Sequence, residues 1–438
     1  MAQHRISAEE LAELWPTLPA DEQGDWFETL ERDEARWFFV NLQAADQAAL
    51  ILRLPQGERA LWVRLLAPDD AADVLQELEE ESQRQELLKA MEDTTRREVI
   101  ALLAYAEDDA GGLMSPRFAR LRAEMSVDEA VAYLRRQASG LLETIYYAYV
   151  LDHQQHLLGV VSFRNLFAAK GHLLVSEVMS PTVISVPETM DQESVALVIA
   201  RNDLMAVPVV AEDGTMRGII TVDDIVDVVQ EEATEDIQKL GGMEALDTPY
   251  LHTGMLEMIK KRGVWLAVLF LGELLTTNAM GAFEHQIAGA LVLAMFIPLI
   301  ISSGGNSGSQ AATLVIRAMA LGEVRLRDWA KVVKREIFTG FALGLLLALL
   351  GLLRVVLGEA LFGSFGSHYF LISIAVATSL IGVVCWGTFI GSMLPFIIRR
   401  VGADPASASA PFVATLVDVV GIIIYFSVAN LVLSGSVL

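Results

Sequence analysis

The sequence has almost no cysteine and comparatively few basic residues, and both shortages exclude classes of protein. Cys385 is the single cysteine among 438 residues, so neither a disulfide framework nor a cysteine-based metal site can form within one chain. Lysine and arginine total 32 against 56 acidic residues, and the formal net charge of −24 argues against nucleic-acid binding. The opening segment, MAQHRISAEELAELWP, contains no long apolar run, so we expect no cleaved signal peptide.

The charge is distributed unevenly along the chain. Residues 1–262 contain 48 acidic and 23 basic residues, whereas residues 263–438 contain 8 and 9. The first part is therefore predicted to be an acidic, soluble module and the second an apolar membrane module. An acidic surface of this kind favours a cationic partner, and metal ions are the simplest such partner.

Five apolar stretches after Arg262 are each near or above the ~18–20 residues that a helix needs to cross a bilayer. They cover residues 264–283, 286–303 with a continuation toward 318, 337–357, 369–398 and 409–436. Lysines and arginines cluster before the first stretch, between the second and third, and between the fourth and fifth. By the positive-inside rule, the N-terminus is predicted to be cytoplasmic and the C-terminus to lie outside.

A glycine cluster interrupts the second apolar stretch, in PLIISSGGNSGSQAATL at residues 298–314. Gly304, Gly305 and Gly308 are expected to break or loosen the helix, which would free backbone carbonyls beside neutral side chains such as Asn306. Such oxygens suit the water shell of a hydrated hard cation. Close helix packing through small residues explains the same composition equally well.

One carboxylate, Asp418, lies near the middle of the last apolar stretch, PFVATLVDVVGIIIYFSVANLVL. A charge at that depth costs about 2.5–3.5 kcal/mol on insertion scales, so its position indicates a function. On a helix it belongs to a narrow stripe of small and polar residues, which is typical of a pore lining. The stripe consists of Ser407, Pro411, Ala414, Asp418 and Gly421. A buried salt bridge, with Arg354 as the candidate cation, is the alternative.

Dimerisation would strengthen the pore interpretation. Two Asp418 carboxylates would then face one axis, and a ring of aspartates attracts cations and rejects anions. Glu273 is a second acid within the membrane part, in LFLGELLTT. Spacing reveals no partner for it, and a place in a vestibule or at a subunit interface is expected.

Residues 125–235 contain an internal repeat at an offset of 59 residues, in which YVLDHQQHLLGVVSFRNLF aligns without gaps with PVVAEDGTMRGIITVDDIV. Each copy predicts two strands followed by a helix, with Ser162 or Thr221 as the N-cap. The pattern resembles the cystathionine-β-synthase (CBS) motif, in which the last two polar residues can hold the ribose of an adenine nucleotide. The resemblance points to Thr221 and Asp224, with Ser162 and Asn165 as weaker candidates. A purely structural cap is the alternative.

The other soluble segments are predicted to be helical. Residues 5–115 have apolar residues three and four positions apart in short helices separated by turns, which predicts a small helical solenoid. The segment VDDIVDVVQEEATEDIQKLGG, residues 222–242, predicts a strongly acidic connecting helix. Divalent ions would neutralise its carboxylates and draw the soluble pieces together, and their loss would let the pieces separate. A solvated charged face is the alternative.

The chain resembles the MgtE class of magnesium channels and transporters over nearly its full length. Four motifs carry the resemblance: EEATEDI at 231–237, GGNSGSQAATL at 304–314, MLPF at 393–396 and DPASASAPFVATLVDVVG at 404–421. The resemblance implies a homodimer in the lipid bilayer with the pore on the dimer axis.

The resemblance also implies which residues meet the ion. Asp418 would bind hydrated Mg²⁺ in the pore, with Ala414 one turn away at the constriction and with Asn306 and Gly305 close to the ion path. A larger set of acids would bind regulatory Mg²⁺ in the cytoplasm. These are Asp404, Glu235, Asp236, Glu232, Asp191, Glu193, Asp203, Asp224, Asp227, Asp69 and Asp73.

The predicted fold is a multidomain membrane protein with four parts. They are a helical N-terminal solenoid domain at 1–120, an α+β tandem CBS domain pair at 121–235, an acidic connecting (plug) helix with its linker at 236–262, and an all-α domain of five transmembrane helices at 263–438.

The predicted function is a Mg²⁺-selective channel or transporter that imports Mg²⁺ across the cell membrane. Cytosolic Mg²⁺ would close it by filling the acidic interfaces, and ATP is a further candidate for a regulatory ligand. The alternatives are a broader divalent transporter that takes Mn²⁺ or Co²⁺, and a membrane-anchored CBS sensor that conducts nothing. An enzyme is not expected, because the sequence has no recognisable nucleophile–base pair or phosphate-binding loop.

Overall fold

The computed structural model describes residues 6–78, 80–137, 142, 146–246, 248, 250–251, 253–289, 291–363, 365 and 368–434. The chain forms two compact units, Met1–Glu232 with Thr248–His252 and Ala233–Asp247 with Thr253–Leu438. Buried apolar side chains form a large core cluster in each of them. The second unit includes Ala233–Asp247, a segment that the charge distribution assigns to the acidic part.

Short helices build the N-terminal part of the first unit, as the apolar spacing predicts. The helices α1 to α9 are Ala8–Leu14, Ala20–Phe27, Arg32–Val40, Ala44–Arg53, Gln56–Val63, Pro68–Gln76, Glu81–Ala90, Asp93–Leu102 and Ala110–Leu113. The first helix begins at a capping box, in which the Ser7 side chain accepts from the Glu10 backbone N–H at 3.2 Å and the Glu10 carboxylate accepts from the Ser7 N–H at 3.0 Å. Leu11, Phe39 and Ile51 are fully buried between the helices.

Two copies of one αβ unit follow, and they confirm the predicted repeat. The first copy contains β1 (Arg120–Leu121), α10 (Val127–Gln137), β2 (Tyr147–Leu151), β3 (Leu157–Ser162), α11 (Phe163–Ala168) and α12 (Val175–Val178). The second contains β4 (Val186–Pro187), α13 (Gln192–Asn202), β5 (Ala206–Val210), β6 (Met216–Thr221) and α14 (Val222–Leu240). In each copy a parallel strand pair adjoins an antiparallel hairpin. Val150 pairs with Gly159 in one hairpin and Val209 with Gly218 in the other, at the predicted offset.

Long apolar helices form most of the second unit, and five of them can cross a bilayer by length and composition. The helices are α15 (Met255–Ala282), α16 (Glu284–Gly289), α17 (Leu291–Ala294), α18 (Ile297–Ala320), α19 (Trp329–Phe362), α20 (Tyr369–Arg400) and α21 (Ala410–Leu433). The first long helix begins at Met255, nine residues before the apolar stretch at 264. Its N-terminal turns carry the basic cluster Lys260–Arg262, which an apolar pattern does not include. The prediction of an all-α membrane part with five spans is confirmed.

The glycine cluster lies inside a continuous helix, so the predicted break at this point is wrong. Helix α18 runs through all three glycines, and the interruption of the second stretch falls earlier, at 295–296. A Cβ on Gly304 would lie 2.5 Å from Val383 Cγ1, and one on Gly308 would lie 2.9 Å from the carbonyl oxygen of Gly387. The glycines therefore allow α18 and α20 to approach closely, which is the packing alternative. Packing offsets the roughly 1 kcal/mol by which glycine disfavours a helix relative to alanine.

Candidate functional site

The last membrane helix, α21, has a well-defined beginning. The Ser409 hydroxyl accepts a hydrogen bond from the Phe412 backbone N–H at 3.3 Å, and Pro411 occupies the first turn. The Ser309 hydroxyl of α18 donates to the carbonyl oxygen of Ala410 at 3.2 Å. These bonds fix the start of α21 against α18.

The polar stripe on α21 is shorter than predicted. Ser407 belongs to the 3₁₀ turn Pro405–Ser407, which ends before α21 begins, so it does not share the helical face of Asp418. Pro411, Ala414 and Asp418 remain on the helix and are partly buried. The correction follows from the Ser409 cap, because a helix that starts there cannot extend back to Ser407.

Two residues of the predicted ion path, Gly305 and Ala414, lie opposite each other on neighbouring helices. A Cβ on Gly305 would lie 3.4 Å from the Ala414 Cβ, which is a van der Waals contact. Asn306 is exposed on the chain and donates to the Ser302 hydroxyl within α18 at 3.4 Å. The structure thus brings Gly305 close to the turn that precedes Asp418, with the Asn306 amide on the exposed surface.

Glu273 on α15 lies beside Asp418, close enough for the two side chains to interact. The helices are in close contact, because a Cβ on the adjacent Gly272 would lie 2.5 Å from Thr415 Cγ2. Two carboxylates at this separation repel each other unless a proton or a cation lies between them. Sequence spacing could not reveal this pair, because it joins the first and the last membrane helix.

A second group of acids surrounds the end of α14. The Lys239 ammonium donates to Asp404 Oδ2 at 2.6 Å and also contacts the Glu235 carboxylate. Burial would lower the pKa of Lys239, but its hydrogen bonds to Asp404 and Glu235 raise it to about 12. Burial and the negative charge of Asp404 raise the pKa of Asp236, and Lys239 and Arg317 oppose that rise. Three predicted regulatory acids, Glu235, Asp236 and Asp404, are therefore brought together.

This acidic group lies next to the beginning of α21. Helix α14 ends at Leu240, and Gly242 adopts a left-handed φ of +74° that turns the chain. A Cβ on Gly242 would lie 3.1 Å from Pro411 Cγ and 3.4 Å from the Ser409 hydroxyl. The end of the connecting helix thus contacts the first turn of the helix that carries Asp418.

A third group of acids lies within the first unit, where α6 faces the start of α14. Burial, with repulsion from Asp70 and Asp224, raises the pKa of Asp73 to about 8. Burial, with repulsion from Asp224, raises the pKa of Asp70 to about 6. Burial and the neighbouring Asp223 raise the pKa of Asp227 as well. Two of the predicted ligands, Asp224 and Asp227, therefore lie near Asp70, and Asp224 also lies near Asp73.

The predicted ligand Asp69 is in a different environment from Asp73. Asp69 is buried, with only 6% of the residue exposed, whereas Asp70 and Asp73 both lie near Asp224 of α14. Asp70 was not among the predicted ligands, although its position in PDDAAD, three residues before Asp73, places both on one helical face.

The other predicted regulatory acids of the first unit have structural contacts. Asp191 caps α13 by accepting from the backbone N–H groups of Glu193 at 3.1 Å and Ser194 at 3.3 Å. Asp203 ends the same helix in a left-handed conformation with φ of +51°. Glu232 accepts from the Gln192 amide at 2.7 Å. These contacts position the acids within the first unit.

The nucleotide candidates also act as a helix cap. The Thr221 hydroxyl donates to Asp224 Oδ2 at 2.6 Å, and the Thr221 backbone N–H reaches the same oxygen at 3.2 Å. In the first copy, Ser162 accepts from the Asn165 N–H at 3.1 Å. The capping alternative therefore describes these contacts in both copies.

Among the described residues, no three His, Cys, Asp or Glu side chains converge into a compact metal cage. The acidic groups are instead loose sets of carboxylates with one lysine among those at the end of α14. Such oxygen donors fit Mg²⁺, which keeps several of its waters and binds through one or two carboxylates.

Family models match most of the chain. The model of the MgtE intracellular N domain matches residues 6–108, and the CBS domain model matches 110–172 and 175–231. The MgtE model, described as a divalent cation transporter, matches 297–428, which includes α18 and Asp418. The chain belongs to the MgtE family. It is therefore a multi-pass membrane transporter with CBS domains and not an enzyme, as predicted.

Relatives extend the similarity to almost the whole length. A magnesium transporter MgtE from Thermus thermophilus is 39% identical over 432 residues, covering 98% of this chain and 94% of that protein. The MgtE magnesium transporter of Bacillus subtilis is 31% identical and covers 89% and 92%, respectively. A solved structure of the cytosolic domain of the Mg²⁺ channel MgtE in complex with ATP is 38% identical, covers 51% of this chain and 90% of that one, and has a TM-score of 0.48.

Proposed function

We propose that this protein is a Mg²⁺-selective channel that imports Mg²⁺ across the cell membrane and that cytosolic Mg²⁺ closes it. The observation that carries the proposal is the position of Asp418, a carboxylate inside the last candidate membrane span, on a helix whose first turn touches Gly242 just past the end of the acidic connecting helix. The names of the full-length relatives support Mg²⁺ as the ion.

The proposed ion path runs along the stripe of α21. Asp418 would attract the hydrated ion, and Ala414, one turn away and packed beside Gly305, would line the constriction. The exposed Asn306 amide offers a neutral oxygen nearby. Recognition of the hydrated ion is expected because Mg²⁺ gives up its water reluctantly. A homodimer with its pore on the two-fold axis would place two copies of this stripe face to face, consistent with their incomplete burial in one chain.

The proposed gate uses the acids outside the membrane spans. Glu235, Asp236 and Asp404 would take up Mg²⁺ at the end of the connecting helix and hold it against the start of α21. Mg²⁺ at the remaining acids would hold the soluble unit together by cancelling repulsion. The ligands proposed there are Glu232, Asp191, Glu193, Asp203, Asp224, Asp227, Asp69 and Asp73. ATP is proposed as a second regulatory ligand at Thr221 and Asp224, where it would have to share the Asp224 oxygen that now caps α14.

The orientation follows from the basic residues at the ends of the spans. Lys260–Arg262, Arg325–Arg335 and Arg399–Arg400 would face the cytoplasm, which places the N-terminus inside and the C-terminus outside. The acids of the connecting helix and of the loop at Asp404 then face the cytosol, as a sensor of cytosolic Mg²⁺ requires.

The test is Mg²⁺ current through liposome patches that contain the purified protein. Cytosolic-side Mg²⁺ would be varied from micromolar to about ten millimolar, a range that spans weak carboxylate sites. We expect current that falls as this Mg²⁺ rises, and loss of current in Asp418→Asn but not in the control Glu284→Gln, at an exposed acid of α16. Current indifferent to cytosolic Mg²⁺ would remove the gate, and undiminished current in Asp418→Asn would refute the pore.

A broader divalent transporter is the second candidate, because the matching family model is described as a divalent cation transporter. Competition by Mn²⁺ and Co²⁺ in the same patches separates the two. Equal conduction of all three ions would replace the Mg²⁺-selective channel, and absence of any current from the folded dimer would favour a non-conducting sensor.

A further inference from the structure

Lys239 occupies the centre of the acidic group at the end of α14. It contacts Glu235 one turn earlier on the same helix and Asp404 in the loop before α21, 165 residues away. The lysine side chain is 24% exposed, and the two carboxylates are 36% and 39% exposed. An i,i+4 pair alone would be ordinary helix stabilisation, but the contact with Asp404 makes this lysine a tertiary bridge.

The bridge leaves the group with surplus negative charge. Glu235, Asp236 and Asp404 contribute three carboxylates to one ammonium, and burial together with the negative charge of Asp404 raises the pKa of Asp236. Arg317 lies on the Asp236 side and offsets part of it. The remaining charge attracts a cation, but the oxygens best placed to receive it are already bound by Lys239.

The oxygens of Asp404 are divided between two tasks. Oδ1 accepts the Ala406 backbone N–H at 2.8 Å and shapes the turn that precedes α21. Oδ2 accepts the Lys239 ammonium at 2.6 Å. Because Oδ1 holds the turn, Oδ2 is the oxygen that an incoming ion would use.

We propose that Lys239 is a built-in counter-cation that competes with Mg²⁺ for Asp404 and Glu235 and thereby sets the cytosolic Mg²⁺ concentration at which the gate closes. This inference rests on the proposed gating role of the same acids. A resident ammonium makes the site weaker than three carboxylates would be, so the ion binds only when it is abundant. The channel can then stay open at low cytosolic Mg²⁺.

The size of the effect follows from charge alone. Removing one positive charge about 5 Å from a divalent ion at a partly exposed site strengthens binding on the order of tenfold, since solvent screens most of the interaction. Lys239→Gln keeps the length and polarity of the side chain and removes the charge. Lys239→Arg keeps the charge, and it serves as the matched control.

The experiment measures hydrogen–deuterium exchange of the full-length protein in nanodiscs during a Mg²⁺ titration. The readout is the Mg²⁺ midpoint for protection of peptides that cover residues 230–245 and 400–410. We expect Lys239→Gln to lower the midpoint about tenfold, whereas Lys239→Arg stays near wild type. In an Asp404→Asn background, Lys239→Gln should shift the midpoint far less, because the competition for Asp404 is gone.

The outcomes distinguish a failure of the role proposed for Lys239 from a failure of the proposed gate. If wild type responds to Mg²⁺ but Lys239→Gln has an unchanged or higher midpoint, Lys239 is not a competitor and the inference is overturned while the gate stands. A higher midpoint would identify the lysine as a clamp that assists closure. If wild type shows no Mg²⁺-dependent protection of these peptides, the proposed gate itself fails.

Discussion

Replacing Gly387 with alanine is expected to destabilise the membrane unit strongly, because no room exists for one more carbon. A Cβ at this position would lie 2.3 Å from the carbonyl oxygen of Gly304 and 3.1 Å from its carbonyl carbon. An ordinary contact of this kind is 3.4–4 Å, so α18 and α20 would have to separate by about an ångström. The obstacle is backbone, which cannot move aside as a side chain can.

The magnitude follows from two opposed terms. Overpacking in a well-packed core costs about 1–3 kcal/mol, occasionally more. Alanine is favoured over glycine in a helix interior by at most about 1 kcal/mol. The overpacking term dominates, and a net loss of roughly 1–2 kcal/mol corresponds to several degrees in the unfolding midpoint of a unit of this size.

A matched control is available in α15. A Cβ on Gly263 would have no atom within 4 Å, so Gly263→Ala gains the helix preference without a clash. The assay is the temperature at which half of the monodisperse peak is lost in size-exclusion chromatography of the detergent-solubilised protein. We expect a lower midpoint for Gly387→Ala and an unchanged or higher one for Gly263→Ala. Equal midpoints for Gly387→Ala and wild type would refute the close-packing account of the glycines.

Two further predictions concern acids. The pKa of Asp73 is raised to about 8, so the folded first unit favours the neutral carboxyl group. The stability of the folded unit is therefore highest, as far as Asp73 is concerned, below about pH 4, and it falls as pH rises toward 8. Asp73→Asn should therefore raise the Mg²⁺-free unfolding midpoint, followed by tryptophan fluorescence, more at pH 8 than at pH 5; an equal gain at both would contradict the assigned cause. Glu273→Gln should reduce Mg²⁺ current because it removes a carboxylate beside Asp418, and Glu273→Asp should restore part of it. Full current in Glu273→Gln would show that Asp418 acts alone.

Periodic features were predictable from the sequence because each depends on neighbours along the chain. The repeat at an offset of 59 returns as matching registers in the two hairpins, and hydropathy located five membrane helices. The central carboxylate at Asp418 was equally visible, since an acid in an apolar run stands out without any knowledge of the fold.

Features that depend on which helices touch were not predictable. A glycine cluster is compatible with a break in the helix and with close helix packing. The close approach of Gly304 and Gly387 identifies packing of α18 against α20 as the role of the glycines. The neighbours Glu273 and Asp418 belong to two different helices. Lys239 lies on α14, whereas its partner Asp404 lies in the loop before α21. A local pattern carries no signal for either pair, because both depend on the packing of distant segments.

The charge arrangement suits the proposed gate, which would respond to an ion without a preformed cage. Three carboxylates surround one lysine at the end of α14, so the group keeps surplus negative charge while Lys239 occupies oxygens that an ion would use. A complete cage would bind Mg²⁺ permanently, and a neutral surface would not bind it at all. Because Gly242 lies against Pro411 at the start of α21, a change in local charge is expected to act on the helix that carries Asp418. The proposed sensor would therefore need only weak sites, provided that they lie at this contact.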